Sequence, residues 1–183
     1  MKLLSENFFA RDTVAVARDL LGKVVMVNGC SARVVETEAY KQDKASHAYK
    51  KTERSLLMYD TYGYVYVYLI YGMYWCLNFT TEKKGVGAVL IRAVEPLSGI
   101  EEMKKRRKEE IIATNLCSGP GKVCMALGID KRLNGLKIGN EVKLFEDNYL
   151  VKEIRKSSRI GIKEAQHLPW RFFVEGNKFV SRG

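Results

Sequence analysis

A chain of 183 residues, 46% hydrophobic and 28% charged, can bury a core of its own, which excludes a disordered chain or one that depends on disulfide staples. Lys and Arg number 31 against 21 Asp and Glu, a net charge of +10, so polyanions lead the candidate partners: nucleic acid first, an anionic membrane surface second. Four cysteines without C-x-x-C spacing (Cys30, Cys76, Cys117, Cys124) and only two histidines predict no metal site.

The start, MKLLSENFF, is too short in apolar residues for a secretion signal, and Gly72 interrupts the longest apolar run. The expectation is an intracellular protein (cytoplasm or nucleoid, nucleus if eukaryotic) with free thiols and no membrane partner. In chain order, DTVAVARDLLG (12–22) predicts a helix: Asp12 caps it, Val14, Ala17, Leu20 and Leu21 recur at helical spacing, and Gly22 ends it. KVVMVNGCSARVVETEAY (23–40) predicts two strands about an Asn28-Gly29 turn. Residues 41–57 are polar and lysine-rich, a long loop, and 62–80 alternate as strand. GVGAVLIRAVEP (85–96) is a strand closed by Pro96.

SGIEEMKKRRKEEIIA (98–113) predicts a charged helix with Ser98 and Glu101 at capping-box spacing. Its KKRRK run (104–108) reads as a self-paired solvated face, through Glu101–Lys105, Glu102–Arg106, Lys105–Glu109 and Arg106–Glu110. CSGPGKVCMALGI (117–129) opens a short helix. Residues 137–180 predict short strands, with turns at Gly139-Asn140, Asp147-Asn148 and Gly176-Asn177. Strands dominate and helices are irregularly placed, which predicts one α+β domain on an antiparallel sheet.

Three stretches carry candidate chemistry. Tyr62, Tyr64, Tyr66 and Tyr68 share one face of a strand, with Val65, Val67 and Leu69 on the other, so the strand is packed on both sides and the first three tyrosines are core. Tyr71, just before Gly72, sits where a tight hairpin tip projects a ring outward, a wedge between stacked bases. In RVVETEAY (33–40), Glu36 and Glu38 fall on one face with Val34; a desolvated carboxylate there can act as a general base, while the residues alone favour the alternative of a solvated edge carboxylate or a structural ion pair. CSGPGK (117–122) lacks the first glycine of a Walker loop, since Leu116 stands there. It makes a helix start with Ser118 as cap and Pro120 in the first turn, where Lys122 and backbone N–H groups offer a phosphate grip. Two rival readings remain: a non-catalytic module stacking single-stranded nucleic acid, and a peripheral membrane protein.

FFARDTVAVARDLLG, VETEAY, DKASHAY, YVYVYLIYGMYWCLN, VLIRAVEPL, CSGPGKVCMALGI and PWRFFV, in this order and spacing, resemble the alkyladenine (3-methyladenine) DNA glycosylases. The resemblance implies one domain over 1–183: a curved antiparallel sheet, a protruding β-hairpin and surrounding helices. It implies excision of alkylated or deaminated purines from double-stranded DNA by a monomer without cofactor. Glu38 would activate the attacking water, with Arg92 holding both. Tyr40, His47 and Tyr68 would stack the flipped base, a backbone amide near His47 would donate to it, and Asn78 and Leu90 would crowd out a guanine amino group. Tyr71, with Met73 beside it, would fill the gap in the duplex. Lys122, Arg159 and Arg54 would contact phosphates. With water as nucleophile no lyase activity is implied. The family's T-x-R-N-x-x-M-F run here reads Thr52, Arg54, Ser55, Met58 and Tyr59, so two positions depart from it, and Trp75 enlarges a position behind the pocket.

Overall fold

The computed structural model describes residues 1–108 and 112–181, apart from the side chain of Asp60. Among them are nine strands: β1 (Lys2–Leu3), β2 (Val24–Val27), β3 (Cys30–Tyr40), β4 (Val65–Ile70), β5 (Tyr74–Thr81), β6 (Gly87–Ser98), β7 (Lys143–Glu146), β8 (Ile154–Ser157) and β9 (Arg171–Val174). Five helices accompany them: α1 (Thr13–Asp19), α2 (Leu56–Asp60), α3 (Ile100–Arg107), α4 (Ala113–Leu116) and α5 (Pro120–Leu127). The strands form one sheet in the order β1-β7-β2-β3-β6-β5-β4, with β9 joining β3 and β8 pairing with β9. Every pairing is antiparallel, so the fold is α+β as expected.

Asp12 caps α1 by accepting from the Val14 and Ala15 amides, and the helix buries Val16 and Ala17 against β3 and β6. Asn28 and Gly29 turn the β2–β3 hairpin with φ of 51° and 76°. β3 organises the sheet. Its first half pairs with β2, its second half with β9, and its other edge runs along β6. Residues 30–39 of β3 are therefore all buried. The main core also takes Leu77 and Phe79 from β5, Val89 and Ile91 from β6, and Val123 and Leu127 from α5. A small second cluster of Ala48, Met58, Tyr66 and Ala88 lies under the 41–57 region.

Several local expectations are corrected. Pro96 does not close its strand: β6 runs on to Ser98, and the proline's missing N–H is accommodated beside a register slip between Ser31 and Ala32. Ser98 does not cap α3; its hydroxyl bonds Ser31 at 2.6 Å, and Gly99 in a left-handed conformation (φ 74°) starts the helix. Gly119, not Ser118, occupies the α5 cap position, with Pro120 in the first turn as predicted. The 41–57 stretch holds two 3₁₀ turns, His47–Tyr49 and Glu53–Ser55, and then the start of α2. In α3, Glu102 pairs with Arg106, while Glu101 pairs with Lys104 and not Lys105. The pairs with Glu109 and Glu110 lie outside the described residues. Strict alternation also fails in β3. The register with β6 slips on both sides of Glu36, and Val34 joins Val35 in the core while Glu36 and Glu38 share one arginine.

Candidate active site

Four adjacent strands place one residue each in a single cross-strand row. Glu38 on β3 pairs with Leu90 on β6, Leu90 with Asn78 on β5, and Asn78 with Tyr66 on β4. Two residues along, on the same face, Tyr40 lies opposite Ala88. Above this row opens a cleft of about 740 Å³, lined by Tyr40, His47, Tyr66, Tyr68, Asn78, Leu90 and Arg92 among others. The small Ala88 side chain on its floor leaves room between larger neighbours.

The aromatic wall is built from two directions. Tyr66 and Tyr68 alternate along β4, their ring centroids 5.4 Å apart. The 3₁₀ turn at His47, capped by Ser46, sets the imidazole edge-on to Tyr68 at 4.6 Å and within 3.0 Å of the Tyr66 hydroxyl through Nδ1. Burial, with help from the nearby Arg54 charge, pushes His47 down to about 4, so the ring is neutral at neutral pH. Burial likewise lifts Tyr66 to about 12 and raises Tyr40 and Tyr68, so all three phenols keep their protons. The Asn78 amide is oriented by two donations, to the Tyr66 and Cys76 carbonyls.

Glu38 is fully buried one layer below the cleft surface. Its partners line the cleft: Oε2 accepts from the Tyr40 hydroxyl at 2.8 Å and from Arg92 Nη1 at 3.3 Å, and Oε1 accepts from the Ile160 amide at 2.7 Å. Burial raises the Glu38 pKa, and Arg92, the Ile160 N–H and Tyr40 oppose the rise without cancelling it. A carboxylate with a raised pKa and a cationic neighbour is a general-base candidate.

The hairpin between β4 and β5 turns through Tyr71 and Gly72, with φ of 53° and 70°. The Tyr71 side chain is 80% exposed and Met73 is 65% exposed, and Tyr71 also borders the cleft. Lys122 and Arg54 lie at the cleft wall. Arg54 donates to the Leu69 carbonyl and stands over the Tyr68 ring, and Lys122 reaches Ser118 at 3.4 Å.

Arg159 is placed differently from the expectation of a phosphate contact. Its side chain has no exposed surface; both terminal nitrogens hold Asp43, at 2.7 and 3.0 Å, one also donates to the Ala39 carbonyl, and the guanidinium lies against the Tyr40 and Trp170 rings. A cation so committed props the Tyr40 wall and is closed to a phosphate. Tyr66, expected as core, lines the cleft as well. Sequence reasoning did not single out the Ile160 amide, which no side-chain pattern could reveal. It also left Arg107 in a solvated face; that side chain reaches the cleft wall, and its Nε is buried without a hydrogen-bond partner among the described residues.

Comparison with known proteins supplies the family. A family model described as Methylpurine-DNA glycosylase (MPG) matches residues 7–178. A Clostridium perfringens (strain 13 / Type A) protein is 48% identical over 202 residues, covering 98% of both chains. A Clostridium novyi (strain NT) protein is 44% identical over 200 residues, covering 100% of both. One from Rhizobium johnstonii is 45% identical over 178 residues, covering 96% of this chain and 88% of the relative. All three are named "Putative 3-methyladenine DNA glycosylase". With its family match spanning nearly the whole chain, this protein belongs to the methylpurine-DNA glycosylase family.

Proposed function

We propose that this DNA glycosylase acts in base excision repair by turning alkylated or deaminated purines (3-methyladenine, 7-methylguanine, hypoxanthine, ethenoadenine) out of double-stranded DNA and hydrolysing the N-glycosidic bond. It works as a single chain, a monomer without cofactor. Extruding a base costs a few kcal/mol. Tyr71, backed by Met73, fills the space left in the duplex. Tyr40, His47 and Tyr68 receive the base, each stacking contact contributing about 1–3 kcal/mol. Cationic lesions suit the tyrosine faces, and Asn78 with Leu90 disfavours a guanine amino group. Arg54 and Lys122 hold phosphates beside the cleft.

Glu38 takes a proton from water as the water oxygen bonds to C1′ and the C1′–N9 bond breaks; the electron pair leaves with the purine. A neutral purine such as hypoxanthine departs with a proton added to the base. Among the described residues Oε1 of Glu38 has one donor, the Ile160 amide, which leaves a second lone-pair site for the water's hydrogen. Arg92, whose Nη1 lies 3.3 Å from Glu38 and which lines the cleft, orients the water. No amine attacks the sugar, so the product is an intact strand with an abasic site.

The observation that carries this reading is a fully buried carboxylate, tied to Arg92, directly beneath an aromatic-lined cleft. Glu38→Gln keeps that shape and removes the base. Duplex DNA containing hypoxanthine should bind with parental affinity, while release of free hypoxanthine falls to background. Parental turnover by the variant refutes the mechanism. Strand scission by the parent enzyme at its own abasic product refutes the absence of a lyase step.

A further inference from the structure

We propose that Glu36 is a positioning residue for this reaction, holding the Arg92 guanidinium in the orientation that aims a terminal N–H at Glu38. The proposal rests on the reading of Glu38 as the base. Glu36 has no exposed surface and does not line the cleft. Even so, its carboxylate gathers four hydrogen bonds: Oε1 accepts from Arg92 Nε at 3.1 Å, Arg171 Nε at 2.6 Å and the Ser181 hydroxyl at 2.9 Å, and Oε2 accepts the Ser181 amide at 2.7 Å.

A guanidinium is planar, with its five N–H bonds in a fixed fork. Anchoring Nε therefore settles where the terminal nitrogens point. Glu36 holds Nε at 3.1 Å, while Glu38 meets Nη1 at the longer 3.3 Å. Arg92 is thus secured from behind, and the base is free to exchange partners during the reaction. Charge is balanced across the group. Glu36 and Glu38 face Arg92 from β6 and Arg171 from β9, so Arg92 serves two anions and does not fully neutralise either. Ser181 closes the arrangement from 145 positions along the sequence. A buried ionic cluster of this kind adds little to stability compared with apolar side chains of similar volume, so its orienting effect is the more informative property.

The test uses the full chain with Glu36→Gln, Ser181→Ala and Glu38→Gln, in single-turnover excision of hypoxanthine across a pH series, beside duplex binding and thermal unfolding. Besides the two arginines, the groups near Glu38 are Tyr40 on its own strand, Tyr68 on β4 and Cys76 on β5, all protonated in the working range, and Arg159 behind Tyr40. Glu36→Gln removes one anion and leaves both arginines. Excision should fall at least about tenfold, the equivalent of one lost charge-assisted hydrogen bond, with lesion-duplex affinity unchanged. The acid limb of the rate profile should move to lower pH, since the Glu36 charge that raises the Glu38 pKa is gone. Ser181→Ala keeps the amide donor but leaves Glu36 charged with one donor fewer, so it should lower the rate roughly threefold and displace the limb to higher pH.

An unmoved limb, or a loss no larger than the fraction of unfolded protein, overturns the proposal. If Glu36→Gln does not fold, Ser181→Ala decides: a parental rate and limb overturn it. Glu38→Gln separates the premise from the inference. A dead Glu38→Gln beside a parental Glu36→Gln defeats the role of Glu36 alone, whereas an active Glu38→Gln defeats the base itself.

Discussion

The Tyr40 hydroxyl donates to Glu38 Oε2 at 2.8 Å, so the aromatic wall of the cleft and the carboxylate beneath it are joined by one hydrogen bond between residues two apart on β3. A purine stacked on Tyr40 is thereby referenced to the group proposed to activate water. The bond also contributes to the charge state of that group, because donation to a carboxylate favours its ionised form.

Tyr40→Phe keeps the ring and deletes the donor. The Glu38 pKa, already raised by burial above the usual 4.5, should rise further. A base works only when deprotonated, so the acid limb of the parental rate profile should lie above the ordinary glutamate range, and Tyr40→Phe should move it to still higher pH. At high pH the variant should approach the parental rate. Single-turnover rates from acidic to neutral pH check this; a limb that moves down contradicts the proposed geometry.

Tyr71 at the hairpin tip has almost no packing to lose. Tyr71→Ala should change folding stability by less than about 0.5 kcal/mol, as exposed substitutions usually do. It should weaken capture of a hypoxanthine-containing duplex by about 10- to 100-fold, the worth of one stacking contact, and leave binding to undamaged duplex nearly intact. Titrations of both duplexes decide it: equal losses on the two would remove the wedge.

Asp43 is the sole carboxylate partner of the buried Arg159 among the described residues. Asp43→Ala leaves that cation buried and uncompensated, and should destabilise the protein by about 3–5 kcal/mol in denaturant unfolding. Release of Tyr40 from its prop should also weaken lesion binding. A phosphate role for Arg159 would predict the reverse pattern, in which neutralising Arg159 weakens DNA binding and leaves stability unchanged.

Phosphate contacts should make affinity fall steeply with salt, with a slope of about 0.9 per neutralised phosphate. Lys122→Ala, Arg54→Ala and Arg107→Ala should each reduce that slope by about one. Arg107 is the most telling of the three, since its run of basic residues reads in sequence as self-paired. Binding measured from low to moderate salt gives the slopes directly, and an unchanged slope for Arg107→Ala would return it to the solvated face.

The one-dimensional pattern was sufficient wherever function follows local geometry. Period-two alternation put Glu36 with Glu38 and Tyr66 with Tyr68, a positive-φ turn at Tyr71-Gly72 put a ring at a tip, and Asp12 and Asn28-Gly29 marked a helix start and a hairpin. It failed where a rule requires strict regularity. The bulge at Val35 broke the alternation that would have grouped Val34 with the carboxylates, and Gly99 took over a cap that spacing assigned to Ser98.

Composition and short-range spacing thus determined a basic α+β protein, its hairpin tip and the strand that bears Glu38. Only the tertiary structure decided which charges are available. The sheet register sets Glu38, Leu90, Asn78 and Tyr66 in one row, and folding delivers Ile160, Arg171 and Ser181 to the two carboxylates from far along the chain. Arg159 and Lys122 look alike as basic residues. Burial against Asp43 consumes the one, and the other stands on the cleft wall, because desolvation and partner geometry depend on surroundings that residue identity does not encode.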